Sequence, residues 1–380
     1  MVIRSIQRST TTPRIAIEAL ADQRRWPYRD GSAAWSVTSY TGAGDLGQWL
    51  TGMGQRQDSR RPTEVLLYDN YLAVEYPHAV GDGHYGLNLV AALTNSSSGP
   101  LPPDLSRHAV WRAIWDHFRS NPGRLIQLIS IRKTQRRNSS APARPSPSGS
   151  TEGWRATRRV SVGHLDHTRF TELQDWVVEH APGSTRVAVM SALWLAALRS
   201  QHVKVDERVV VLINCRRYLQ PEQQMCLGNF AIGVPLQIGS LEPAAITALL
   251  RAVIESGWPL AVIAMGEVRS LLRRSAPHAH GRSATMPDLI RLSVSDMGKL
   301  PFDHLPWVSG RPRQATALLE LNGPDAMTLL LSQVGRERSA SVTYCTAAVP
   351  QATIDAAMEQ MCTDPVGLLS RPPRSTPSDQ

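Results

Sequence analysis

No run of apolar residues in this 380-residue chain approaches the roughly 20 needed for a helix to cross a bilayer, so no transmembrane segment is expected. The opening stretch Met1 to Arg8 has no continuous apolar core, and a secretory leader is not expected either. Cysteine is scarce: Cys215, Cys226, Cys345 and Cys362 lie far apart, without CxxC spacing or companion histidines. That pattern speaks against a metal site and for incidental thiols in a reducing cytosol, which makes the expected location cytoplasmic. Aromatic residues are not interleaved with the basic runs and no nucleic-acid motif accompanies them, so nucleic acid is not an expected partner. There is no internal repeat.

What the chain does have is ordinary globular content, 42% apolar, and a basic balance of 41 Lys and Arg against 32 Asp and Glu. The length allows two domains or one large one. Much of the excess is arginine in loop-like segments. It permits a polyanionic partner, such as the phosphates of coenzyme A or an acidic carrier protein, without requiring one.

The clearest break lies between Arg132 and Gly153, where Arg132 to Ser140 runs into the Pro- and Ser-rich stretch Ala141 to Ser150. With few apolar side chains to bury, it reads as a linker. The expected organisation is an N-terminal lobe over 1–135, a linker over 136–153, a C-terminal lobe over 154–370 and a frayed tail over 371–380. Before the linker, strands are expected over 34–40, 64–68 and 72–76, and helices over 46–53, 106–118 (with Ser106 as a possible cap) and from Leu125 on. After it, strands are expected over 158–162, 208–214, 230–236, 289–294, 327–333 and 339–344. Helices are expected there over 168–180, 187–201, 243–254 and 351–362.

One segment carries most of the chemistry. Leu72, Val74 and Tyr76 alternate with Ala73, Glu75 and Pro77, a strand period. After them come His78-Ala79-Val80-Gly81-Asp82-Gly83 and a helical run with Leu87, Val90 and Leu93 or Ala91 on one face. A histidine at a strand end, a glycine-containing turn and an aspartate at a helix start form a reasonable mount for a base. The alternative is a tight turn with one incidental histidine.

His78 to Gly83 resembles the HxxxDG motif of the CoA-dependent acyltransferase superfamily. That group includes chloramphenicol acetyltransferase, plant and polyketide-associated acyltransferases, and the condensation domains of nonribosomal peptide synthesis. Two later segments agree in order and separation. Asn214-Cys215-Arg216-Arg217-Tyr218-Leu219 with Leu227-Gly228-Asn229-Phe230 is similar to the family's second-lobe strand, arginine-bearing turn and Gly-Asn pair. Ser293-Val294-Ser295-Asp296-Met297-Gly298 resembles its late Ser-Asn/Asp-x-Gly strand end. The resemblance implies an α/β (α+β) fold of two chloramphenicol acetyltransferase-like lobes, each a mixed sheet flanked by helices, with a tunnel at their interface. Two departures stand out. Pro77 occupies the place where condensation domains often carry a second histidine, and the DFGWG sequence of plant relatives is absent.

Acyl transfer from a thioester needs a base for the attacking group and a donor for the carbonyl oxygen. His78 is the expected general base, since imidazole titrates near neutral pH. By resemblance Asp82 holds the turn by pairing with an arginine, with Arg216 and Arg217 the candidates, and Gly83 lets the backbone approach the thioester. Ser293 or Ser295 could donate to the oxyanion, as could a backbone N–H after the motif; Asn229 is grouped with the substrate-binding residues, though a backbone-bridging hydrogen bond is its expected role. The other histidines have simpler readings. His84 opens a helix, His278 and His280 lie in a polar loop, and His164, Asp166 and His167 sit where capping suffices. Trp111 and Trp115, one helical turn apart, read as core.

The function implied is an acyltransferase that moves an acyl group from acyl-CoA or an acyl or peptidyl carrier protein to a hydroxyl or amine of a small acceptor. No cofactor is held permanently, no metal is needed, and the enzyme is expected to be a monomer. Two alternatives remain: a condensation-like, amide-forming or cyclising catalyst, and a non-catalytic carrier-binding protein of the same fold.

Overall fold

The computed structural model describes residues 2–4, 35–40, 45–55, 63–68, 71–76, 78, 81–94, 108–139, 153–272, 289–303, 305 and 307–370. Two sheets organise them. The first is built from β1 (Val2–Arg4), β2 (Trp35–Tyr40), β3 (Thr63–Tyr68), β4 (Tyr71–Glu75) and β9 (Gln314–Thr316), in the order β2-β3-β4-β1-β9. The second contains β5 (Arg158–Leu165), β6 (Arg208–Asn214), β7 (Ala231–Gln237), β8 (Arg291–Lys299), β10 (Ala326–Val334) and β11 (Glu337–Cys345). Its order is β5-β11-β10-β8-β6-β7. Both are mixed: β2 and β3 run parallel in the first, and β8 runs parallel to β6 and β10 in the second.

Helix α1 (Leu46–Gln55) links β2 to β3, and α2 (Gly83–Leu93) follows β4. Next come α3 (Ala109–Ser120) and α4 (Arg124–Ser139), separated by the break Asn121-Pro122-Gly123. Around the second sheet lie α5 (His167–His180), α6 (Arg186–Ser200), α7 (Pro243–Glu255), α8 (Trp258–Leu272), α9 (Gln351–Thr363) and the short α10 (Pro365–Ser370). Helix α6 is apolar nearly all round, with Ala188 to Leu195, Ala197 and Leu198 buried and Trp194 fully enclosed. Such a helix belongs in the middle of a core, and it packs among Val209, Val211, Leu292, Val294, Leu329 and Val342 of the second sheet.

Some sequence expectations need adjustment. Alternation in β4 predicts one buried face, yet Tyr71 to Val74 are all buried. The reason is that α1 covers the second side: Tyr71 and Ala73 pack with Leu46 and Leu50, while Leu72 and Val74 pack with α2. Helix α4 runs to Ser139, into the stretch read as linker, because Arg, Lys and Gln are good helix formers by intrinsic propensity. The late Ser-Asp-x-Gly segment forms the last part of β8, which runs to Lys299 rather than stopping at Val294. Helix α8 has no counterpart in the sequence reading. Trp111 and Trp115 are not core: they are 47% and 65% exposed. Ser106, Pro77, His278, His280 and the segments 140–152 and 371–380 lie outside the described residues.

The two halves are not independent. β9, from late in the chain, forms the edge of the first sheet by pairing with β1. A shared cluster joins Val65, Leu72, Leu89 and Leu93 from the first half to Leu227, Leu300, Phe302 and Ala315 from the second. The motif residues sit beside this seam.

Candidate active site

The turn after β4 is held from four sides. Asp82 starts α2, and its Oδ1 accepts from the His84 N–H at 3.1 Å, a helix N-cap bond. The same carboxylate is forked by Arg216, with Nη1 donating to Oδ2 at 2.7 Å and Nη2 to Oδ1 at 3.3 Å. Oδ2 also accepts from the Phe230 N–H at 3.0 Å. The Asp82 carbonyl accepts from the Tyr76 hydroxyl at 2.9 Å. Asp82 and Arg216 are only 4% and 3% exposed, so this is a buried ion pair between the two halves.

Arg216 is itself fully engaged. It lies in a tight 3₁₀ turn, Cys215–Tyr218, capped by Asn214, whose Oδ1 accepts from the Arg216 N–H at 3.0 Å. Its Nε donates to the Cys226 carbonyl at 2.9 Å and its Nη2 to the Gly228 carbonyl at 2.8 Å. A planar, permanently charged fork suits this arrangement, whereas a lysine could satisfy only part of it. Arg217, the other candidate, is exposed.

Glycines complete the turn. A Cβ on Gly81 would lie 2.4 Å from Tyr85 Cβ, and one on Gly86 would lie 2.6 Å from the Tyr76 hydroxyl oxygen. Both are required by close packing. Gly83 differs: an added Cβ would meet only Met297 Cε, at 4.0 Å. Packing therefore does not explain that glycine.

His78 is exposed at the turn, and the Asn229 side chain donates to its carbonyl at 2.7 Å. Asn229 thus ties the second half to the motif backbone. His84 is a different kind of histidine. Burial lowers its pKa first, Arg216 lowers it further, and Asp82 and a backbone bond with Met225 oppose the shift. It stays neutral beside the ion pair. Tyr76 is pushed well above the usual phenol range, by burial and then by the Asp82 charge, and remains a donor.

The late segment arrives from across the seam. Leu292 and Val294 point into the core of the second sheet, so Ser293 and Ser295 lie on its opposite face with Met297. Pairing with β10 shifts register between Asp296 and Lys299, a bulge at which Gly298 takes φ +69°. Asp296 fixes it, with Oδ1 accepting from the Gly298 N–H at 2.8 Å. The bulge sets Met297 over Gly83. Ser293 and Ser295 are half-buried, and neither hydroxyl bonds another described residue.

Elsewhere Asp166 caps α5, its Oδ1 accepting from the Arg169 N–H at 2.8 Å, which accounts for its place between His164 and His167. The four thiols are free, and burial raises all of them, Cys215 and Cys362 to about 12. They are not thiolate nucleophiles at neutral pH. Sequence reasoning read Gly81 as part of a glycine-containing turn but missed the roles of Tyr76, Asn214, Gly86 and Met297. Only the glycines left a trace, as a Gly-rich stretch around a helix start.

No protein-family model matches the chain, and no curated protein matches it by sequence. Solved structures do match its shape. The condensation domain of the monacolin K polyketide synthase aligns with a TM-score of 0.58 at 13% identity, over 96% of this chain and 91% of that one. Trichothecene 15-O-acetyltransferase from Fusarium sporotrichioides aligns with a TM-score of 0.55 at 12% identity, over 95% and 88%. The epimerization domain from the third module of tyrocidine synthetase B gives 0.54 at 14%, over 97% and 92%. With 95–97% of its length aligned, the chain has the two-lobed, chloramphenicol acetyltransferase-like fold common to these domains.

Proposed function

We propose that the chain is an acyltransferase that carries an acyl group from a CoA or carrier-protein thioester to a hydroxyl or amine of a small natural-product or lipid-like acceptor. The observation that carries this reading is the locked Asp82–Arg216 turn, which holds the backbone on both sides of an exposed His78 at the seam.

His78 accepts the proton from the acceptor as its oxygen or nitrogen attacks the thioester carbonyl. The tetrahedral intermediate collapses by breaking the C–S bond, and the imidazolium returns the proton to the departing thiolate. No covalent enzyme intermediate is needed. Asp82 does not touch the substrate, because its oxygens are engaged in structure. Gly83 and the unengaged hydroxyls of Ser293 and Ser295 line the approach to the carbonyl, where a donor stabilises the oxyanion. Asn229 positions His78 rather than binding substrate. Donor and acceptor enter from opposite sides of the seam, a usual place for a ligand site.

The test is acceptor-dependent thiol release from acyl-CoA and, in a second arm, from acylated carrier protein, with product identified by mass spectrometry. Activity in either arm that falls with His78→Ala supports the reading and names the donor. Turnover of a genuine substrate at an unchanged rate in His78→Ala would overturn the assignment of the base. Carrier binding without product in either arm would instead favour the non-catalytic reading.

A further inference from the structure

Outside the motif, α3, α4 and α8 leave a large apolar face open. Trp115, Ile126 and Ile129 are 65%, 74% and 68% exposed, with Trp111 and Leu125 nearly half so. From Leu125 to Ile131, α4 is apolar except for a strip carrying Gln127 and Ser130. Ile131 packs against the core and Leu128 turns inward, while Leu125, Ile126 and Ile129 point outward. Large apolar side chains grouped on an exposed face mark an interaction surface. Between the helices lies a cleft of about 390 Å³ lined by Trp111, Ile114, Phe118, Leu128, Met265 and Val268.

The charge around this face has one dominant sign. Arg112, Arg119, Arg132 and Lys133 are exposed on α3 and α4, and α4 carries no acidic residue over its whole length. On α3, Asp116 accepts from the Gln220 side chain at 3.0 Å, and Glu267 on α8 is half-buried.

We propose that the α3–α4 face is a docking surface for an anionic membrane, with the tryptophans and isoleucines at the headgroup boundary and the cations over the lipid phosphates. Exposed Trp and Ile beside Lys and Arg is the composition of elements that lie in an interface. A second copy of the chain would bring like charges together. An acidic protein would answer the cations but leave an apolar cleft to fill, whereas an anionic lipid supplies both headgroup and hydrocarbon. Among the described residues no single helix is long and apolar enough to cross the bilayer, and the association proposed is a peripheral one. The face contains none of His78, Asp82 or Arg216, so docking is measured independently of acyl transfer.

The experiment is co-sedimentation of the full chain with vesicles of phosphatidylcholine alone, and with about one-third phosphatidylglycerol added. Binding to the anionic vesicles is expected to be at least about tenfold tighter, and to weaken as salt screens the charges. Ile126→Asp with Ile129→Asp should abolish binding to both. Arg132→Glu with Lys133→Glu should remove the preference for anionic lipid and leave any weak neutral binding. All four positions are exposed, and matching circular dichroism and melting curves establish that the variants are folded. Absence of vesicle binding at low salt, or unchanged binding by either folded variant, would overturn the proposal. So would capture of an acidic carrier protein through this face in place of vesicles.

Discussion

The two ends of the motif turn do different work, and substitution separates them. Asp82 is buried with its carboxylate bonded to Arg216, His84 and Phe230. Breaking a buried pair by removing one partner costs about 3–5 kcal/mol, because the remaining charge is stranded. Asp82→Ala should lower unfolding free energy by about that much in a denaturant titration, and activity should fall with the fold. His78 is exposed, so His78→Ala should leave the denaturation midpoint unchanged while turnover drops by about 10²- to 10⁴-fold. Asn229 gives a third pattern. It is exposed and its side chain donates to the His78 carbonyl, so Asn229→Ala should leave stability nearly intact and lower kcat by up to about 10²-fold through misplacement of the base. His84 supplies a pH signature. Its pKa lies below the ordinary value when folded, so below pH of about 6.5 the unfolded chain binds a proton that the folded one refuses. Stability should therefore fall as pH drops from that value toward the folded pKa, and His84→Gln should flatten this part of the curve measured by thermal melts.

At the level of elements, the bulge in β8 is where two sequence signals become one device. Asp296 and Gly298 were visible as a strand-end pattern, but their purpose is legible only in the pairing with β10. Asp296 caps the bulge, Gly298 supplies the left-handed conformation, and Met297 is set against Gly83. Gly298→Ala places a Cβ in that conformation and should cost about 1–2 kcal/mol. The accompanying shift of Met297 should raise KM more than it lowers kcat in the thiol-release assay. Most elements were legible because periodicity records which faces are covered, and α6 and the strands of the second sheet show this directly. Legibility ended where cover comes from a distant part of the chain. β4 is buried on both sides because α1 and α2 sandwich it, and no local pattern announces that. Trp111 and Trp115 have the spacing of a buried stripe, yet nothing described covers them. Arg216 and Arg217 are neighbours in one turn; only the fold decides that the first points into the seam while the second faces water.

For the whole molecule, the sequence suggests two lobes with a linker, but the structure ties their stabilities together. The first sheet takes its last strand, β9, from residues 314–316, and β9 in turn bonds the second sheet, with Thr316 and Ser341 joined through their hydroxyls. Leu300, Phe302 and Ala315 fill the core against which Leu72 and Leu89 pack. A fragment of residues 1–139 would lack β9 and expose that apolar surface, and each fully buried Leu or Phe contributes about 1.5–3 kcal/mol. Such losses are comparable with the total stability of a domain. The fragment alone should therefore show no cooperative melting transition and little amide dispersion by NMR. Mixing it with residues 153–380 should restore both, because β1 regains β9 as its partner and the Asp82–Arg216 pair re-forms across the seam. The active site as proposed is assembled from both fragments, so thiol release should return only with the complex. A fragment of residues 1–139 that melts cooperatively by itself would mean that the first sheet is stable without its fifth strand, and that the seam carries function without carrying stability.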